Sequence, residues 1–341
     1  MSDNKESFYT GGFQDLSKYR LERTTIGLDW DNCVVKSEQG TLFSESYFLS
    51  SLETKIGLWV CYRGKEVAAL VHLIEDASGK SAIQYPGAIY NGVLFMPAPQ
   101  QQNRTQSQSE QFRILAFLSG ELAKIYKNIF MSFHWLINDV RPFLWHNYSY
   151  DGPKFEINIR YTSIIDLAGH QIDMDELQSP LYKNMNKSRR QEVRYAQNKG
   201  YYTKEEYNLP LFLDFYKRTF NRQNIAASLV NFRELKEIIS NLYKNKRLIM
   251  LISYNPSNEP SSIAIFGHDN KRWYYLYGAS NPDHREGHAG TLVLWDAFTK
   301  FLINGPSELD LEGVNSPRRG YFKLSFGGQL LSYLHVTLKS H

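Results

Sequence analysis

Two carboxylates and one lysine near the end of the chain are the residues best suited to chemistry. Asp310 and Glu312 stand two apart in ELDLEG, and Lys323 follows in GYFKLSFGG. Residues two apart on an extended strand share a face, so both carboxylates point one way while Leu309 and Leu311 point the other. Carboxylates on a core strand are costly to bury without a reason. A partly buried one has a raised pKa and can take a proton from an attacking ammonium near neutral pH. Structural ion pairs with Arg318, Arg319 or Lys323 are the alternative. Just upstream, HREGHAG sets Gly287, Ala289 and Gly290 at the entry to an apolar helix, where N–H groups and the helix dipole suit a pyrophosphate or a carbonyl oxygen. A plain glycine-containing loop at a helix start is the competing reading there. Taken together, Trp273–Lys339 points to acyl transfer. No serine or cysteine stands in a GxSxG-like setting, so direct attack by the acceptor is preferred over a covalent intermediate. His284 and His288 are four apart, but no third or fourth ligand is suitably spaced, so no metal site is expected.

Positioning these residues requires a sheet and helices, and the periodicities supply the same order twice. KIGLWVCY, EVAALVHLIED and AIYNGVLFMP read as strands, followed by a Gln/Asn/Ser-rich solvated connection from Pro97 to Ser109. The helix SEQFRILAFLSGELAKIYKN, the buried strand IFMSFHW and the long strand FEINIRYTSIIDL complete the first half. In the second half, helices over SPLYKNMNKSRRQEVRYAQNKG, LPLFLDFYKRTFNRQ and Leu235–Tyr243 precede the strands RLIMLISY, SSIAIFGH and RWYYLYGAS. A helix from Thr291 to Leu302, the strand ELDLEG, a compact basic-aromatic turn, NSPRRGYFKLSFGG, and the closing strand QLLSYLHVTL follow. This repetition predicts a duplicated α+β unit divided near Ala168–Asp175, with an acceptor-side half over 1–168 and a donor-side, catalytic half over 169–341.

The length of 341 residues suits two domains of roughly 150–180 residues. A net charge of +4 is too slight for a dedicated nucleic-acid binder, and no DNA partner is expected, although an anionic substrate or brief RNA contact is compatible with it. Aromatic residues make up 14% and favour aromatic-lined clefts. Cys33 and Cys61 cannot form a disulfide framework, the polar N-terminus is no signal peptide, and no window approaches a membrane span. A reducing, cytoplasmic setting is the expectation, with any lipid-linked substrate met at the membrane surface by peripheral contact.

Several short strings, in this order, resemble the FemABX-like branch of the acetyltransferase superfamily, in which two GNAT-like units are fused in tandem. They are TLFSESYFLSSL, YTSIIDL, KSRRQEVRYAQNKGY, and DLEG followed by GYFKLSFGG. The resemblance implies two units, each a mixed, mainly antiparallel sheet flanked by helices, and transfer of an acyl or aminoacyl group to an amine. No permanently bound cofactor is implied; acyl-CoA or aminoacyl-tRNA is the donor substrate. Lys323 matches the family's Phe-Lys pair and is implied to sit beside the donor carbonyl, with Phe322 packing on the donor. A fixed ammonium there would stabilise the oxyanion by about 3–4 kcal/mol; a lysine lying along Phe322 or Phe326 on the surface is the alternative. HREGHAG resembles a degraded pyrophosphate loop, with His284 where Arg or Gln is usual, which weighs against coenzyme A because a bidentate phosphate contact is lost.

Further substrate contacts are expected from Tyr277 on the aromatic strand and from Arg190 on the stripe Lys187, Arg190, Arg194, where a phosphate of the acceptor or of tRNA would dock unless this is simply a solvated helix face. Asp139, Arg141 and Trp145 in NDVRPFLWHNY suit a sugar or amino-acid acceptor, or structural packing. Where peptidoglycan-building relatives carry a diphosphate-gripping lysine after Phe-Ser-Glu-Ser, this chain reads LSSL. That departure weighs against a peptidoglycan precursor, while the resemblance implies an acceptor amine on a sugar, peptide or nucleotide-linked cell-envelope precursor. The contrasting possibility is a non-catalytic protein that recognises a nucleotide sugar or RNA.

Overall fold

The computed structural model describes residues 16–99, 102–168, 176–222, 231–303 and 305–339. Two compact units emerge: one takes the described residues up to Leu49, Thr54–Ile159 and the chain from Tyr333 on, the other Ser50–Glu53 and Arg160–Ser332.

In the first unit, β1 (Tyr19–Thr24), α1 (Leu28–Lys36) and α2 (Ser46–Leu49) precede the hairpin of β2 (Lys55–Arg63) and β3 (Glu66–Glu75). Gly64 makes that turn at φ 61°, where a Cβ would be strained. β4 (Gly92–Phe95) completes an antiparallel sheet of order β1-β2-β3-β4. α3 (Arg104–Ile125) starts at a reciprocal capping box between Asn103 and Gln106. Its Leu115, Leu118 and Leu122 pack with Val71 and Leu73 of β3 and with Ile129 and Met131 of β5 (Asn128–Ser132) in one core. α4 (Arg141–Leu144) and β6 (Phe155–Asp166) follow.

In the second unit, α5 (Pro180–Asn184) and α6 (Lys187–Asn198) lead to β7 (Tyr202–Glu205), α7 (Leu209–Arg222) and α8 (Phe232–Lys244). Then come β8 (Leu248–Tyr254), β9 (Pro260–His268), β10 (Arg272–Ser280), α9 (Ala289–Phe301), β11 (Glu308–Asp310), α10 (Pro317–Leu324) and β12 (Gln329–Lys339). Strands β7 to β10 are successive antiparallel neighbours, β11 lies parallel to β10, and Ile164–Asp166 of β6 pair antiparallel with β11. α9 buries nine of its residues, including Trp295 and Phe298, against this sheet, which explains its almost uninterrupted apolar sequence.

The expected mixed, mainly antiparallel α+β architecture is what the chain adopts. The single boundary expected near 168–175 adjoins residues 169–175, which lie outside the described residues. The chain passes from the first unit to the second within β6, at 159/160, and returns within β12, at 332/333. The return has a plain cause: His335–Lys339 pair with Asn128–Ser132 of β5, so the closing strand completes the first unit. Two local expectations are corrected. The basic-aromatic stretch read as a turn forms the helix α10, for which Pro317 at the first positions is pre-set. The strand through ELDLEG ends at Asp310, because its pairing with β10 stops at Tyr274.

Candidate functional site

Beyond Tyr274 and Asp310 the parallel strands β10 and β11 separate. On the β6 side the Leu311 N–H still donates to the Ser163 carbonyl at 2.9 Å; Glu312 then adopts φ 53°, and bonding to β6 resumes where the Val314 N–H donates to the Tyr161 carbonyl at 3.3 Å. The left-handed Glu312 departs from strand geometry, so spacing alone no longer sets the direction of its side chain. Asp310 and Glu312 are both buried, as are Leu309 and Leu311. Asp310 accepts hydrogen bonds from the Thr162 hydroxyl and, at 2.7 Å, from the Glu312 N–H. Glu312 Oε1 is buried with no hydrogen-bond partner.

α10 brings Lys323 to the same place. Its Nζ donates to the Glu312 backbone carbonyl at 3.3 Å and lies 5.1 Å from the centre of the Tyr275 ring. Burial, and then the charge of Asp310, push the Glu312 carboxyl well above the ordinary carboxylate range, with Lys323 pulling it partway back. Burial lowers Lys323; Glu312 and Asp310 oppose that shift, and Arg319 adds to it.

An irregularity in the pairing of β10 between Tyr275 and Tyr277 re-aims this aromatic strand. Tyr275 packs on Phe266 in the core, with ring centres 5.3 Å apart. Tyr277 meets Phe212 and Tyr216 of α7, both at 6.1 Å. Burial raises Tyr277, and Glu312 contributes to that shift, which puts the ring near the carboxyl. Tyr216 feels Arg319. Tyr275, Tyr216 and Thr162 were not singled out from the sequence. Tyr275 sits in the same WYYLY run as Tyr277, whereas nothing local marks Tyr216 or Thr162.

Phe322 packs edge-on to Phe326 and carries the Arg189 guanidinium 5.1 Å from its ring centre. The basic stripe divides: Lys187 and Arg194 are exposed, Arg190 is half-buried, and its buried Nε has no partner. Gly287 ends a 3₁₀ turn over Pro282–Gly287, and a Cβ there would lie 2.0 Å from the Tyr201 ring. Ala289 is buried as the first residue of α9, and a Cβ on Gly290 would meet only Ser262 and Ser280 at ordinary contact distances. His284 is tied to Ser261 at 2.9 Å and to Glu259 at 3.4 Å.

In the first unit, Arg141 forms an exposed two-pronged pair with Asp139, at 2.8 and 2.6 Å, and lies over the rings of Phe112 and Trp145. Those residues therefore satisfy one another, and Trp145 keeps 46% of its surface exposed. A cavity of about 280 Å³ in this unit, bounded by Arg63, Phe95 and Glu110, includes none of the expected residues. Among the described residues, no group of three or more His, Cys, Asp or Glu is placed to hold a metal ion, and no helix is long and apolar enough to cross a membrane.

Residues 183–322, spanning α6 to α10, match the family described as an acetyltransferase (GNAT) domain. The whole chain is similar in structure to FemX, with a TM-score of 0.63 at 14% identity over 92% of this chain and 96% of that one. It is likewise similar to a conserved protein of unknown function from Bacteroides thetaiotaomicron VPI-5482, with a TM-score of 0.60 at 11% identity over 94% and 100% of the two chains. The third structure, L-PGS from Bacillus licheniformis, gives a TM-score of 0.51 at 10% identity, covering 90% of each chain. No curated protein matches by sequence. At these identities the structural likeness establishes fold alone. The chain has a two-unit GNAT fold of the FemX kind. The residues that match the acetyltransferase (GNAT) domain fall in its second unit, where Asp310, Glu312 and Lys323 also lie.

Proposed function

We propose that this chain is an acyl- or aminoacyltransferase that moves its group to an amine by direct attack. The donor is an aminoacyl-tRNA or an acyl-CoA, and the acceptor is an amine on a sugar, peptide or nucleotide-linked cell-envelope precursor met in the cytoplasm. The observation that carries this reading is the convergence of a partnerless buried carboxyl oxygen on Glu312 with the Lys323 ammonium, where β10 and β11 part. In its ionised form Glu312 takes a proton from the acceptor ammonium, and the freed amine attacks the donor carbonyl. The C–N bond forms, the carbonyl oxygen becomes an oxyanion beside Lys323, and collapse breaks the bond to the carrier oxygen or sulfur, which leaves with a proton. Asp310 orients the turn through the Glu312 N–H and keeps Glu312 basic. Tyr277 and Phe322 line the acyl position, Arg190 and the α9 entry (Gly287, Ala289, Gly290) face the carrier, and Asp139, Arg141 and Trp145 are assigned to the acceptor.

The purified protein, offered charged tRNA or short acyl-CoA with candidate amines, is expected to consume donor in a Lys323-dependent manner. Ligand binding without any donor consumption would instead make it a binding protein for a nucleotide sugar or RNA.

A further inference from the structure

A carboxylate from α6, that of Glu192, is hydrogen-bonded to a side chain in the first turn of α9. Thr291, the third residue of that helix, donates from its hydroxyl to Glu192 Oε2 at 2.6 Å. Arg189 donates to the same oxygen and also reaches the Thr291 hydroxyl at 3.0 Å. His288, the residue that caps α9 without a side-chain hydrogen bond of its own, stands with Nδ1 3.8 Å from that oxygen. Glu192 and Arg189 are only 18% and 14% exposed, so water screens this arrangement weakly. The surroundings are closed to a bulky anion in two further ways. The Tyr201 ring fills the space over Gly287, and both ring nitrogens of His284 are engaged, by Ser261 and by Glu259.

We infer that Glu192 is a specificity-determining residue: an internal anion that occupies the first turn of α9 and excludes a nucleotide diphosphate from it. The inference rests on the second unit being the transferase unit and deepens that reading, because it separates donors by their carriers. A carboxylate seated where a diphosphate would dock repels it, and repulsion of the wrong partner is a common source of specificity. The carboxylate also consumes Arg189, the cation that would otherwise meet a phosphate, and leaves that guanidinium stacked on Phe322 next to Lys323. Donor carriers that bring no diphosphate to this helix escape the penalty.

The test is a binding measurement and needs no turnover. Coenzyme A and inorganic pyrophosphate are titrated into the wild-type chain and into Glu192→Gln, which keeps a hydrogen-bond acceptor for Thr291 and Arg189 but removes the charge; Glu192→Ala replaces it should the amide variant not fold. Both probes are expected to bind the variant at least about tenfold more tightly than the wild type, since one buried like charge is lost and one cation is released. A smaller gain, or wild-type binding of coenzyme A as tight as the variant's, overturns the inference. Failure of the transferase reading shows up separately, as the absence of donor consumption with every donor.

Discussion

Lys323 Nζ donates to the backbone carbonyl of Glu312, at 3.3 Å, and not to a carboxylate oxygen. The distinction matters chemically. A lysine locked onto the carboxylate would neutralise both groups, whereas a lysine held by a carbonyl keeps its charge available to a developing oxyanion. The same contact ties α10 to the left-handed turn at Glu312, so the helix and the end of β11 fix each other.

Replacing Lys323 by alanine should lower turnover by about 100-fold, the usual effect of removing one oxyanion donor, with little change in the circular dichroism spectrum. Lys323→Arg should not restore it, because a guanidinium spreads its charge over a planar group and does not present a compact ammonium at the same point. Full activity in the alanine variant would remove the lysine from the mechanism.

Glu312 predicts a trade between activity and stability. Its carboxyl is raised in the folded protein, so the stability it contributes in its neutral form is fully present below the unfolded pKa and is lost as pH rises through the folded one. At neutral pH Glu312→Gln should therefore be more stable, by about 1 kcal/mol, while turnover falls. Thermal melts at acidic and neutral pH check this: the gain must shrink toward the acidic end.

Because the base must be ionised, the rate should rise with pH through an apparent pKa above the ordinary carboxylate value. Asp310 is one of the groups that raises Glu312. Asp310→Asn keeps an acceptor for Thr162 and for the Glu312 N–H but removes the charge, so the acidic limb of the pH–rate profile should move to lower pH. An unmoved limb would show that another group titrates there.

Gly320→Ala tests the packing of α10. A Cβ at this position would lie 2.3 Å from the Val314 carbonyl oxygen, a backbone atom that cannot simply swing aside. The substitution should cost about 1–3 kcal/mol although alanine is the better helix former, and activity should drop with it through the displaced Lys323. Denaturant midpoints measured beside turnover decide the point.

Much of the architecture could be read from periodicity. The β2–β3 hairpin, α3, the strand run β8 to β10 and the mostly apolar α9 all announce themselves by alternation or by helical spacing, since each buries a face of definite period. The elements that escaped are short or polar: β1 (YRLERT) and β7 (YTKE) are outer strands of their sheets with little apolar surface to signal them. The basic-aromatic stretch hid a helix because Gly320 and the arginines look like turn residues. Glycine is there for its missing side chain, which lets α10 pass close to Val314.

The chain's own order of residues determined which groups are available: the two carboxylates, the Phe-Lys pair, the aromatic strand and the duplicated pattern of elements. Tertiary structure alone decided how they meet. Strand spacing marks Asp310 and Glu312 as a pair, but the left-handed backbone of Glu312 and the end of β10 pairing at Tyr274 are set by the fold. Likewise Glu192, Arg189 and Thr291 form one hydrogen-bonded group across about a hundred residues of sequence, a separation over which no local periodicity carries information.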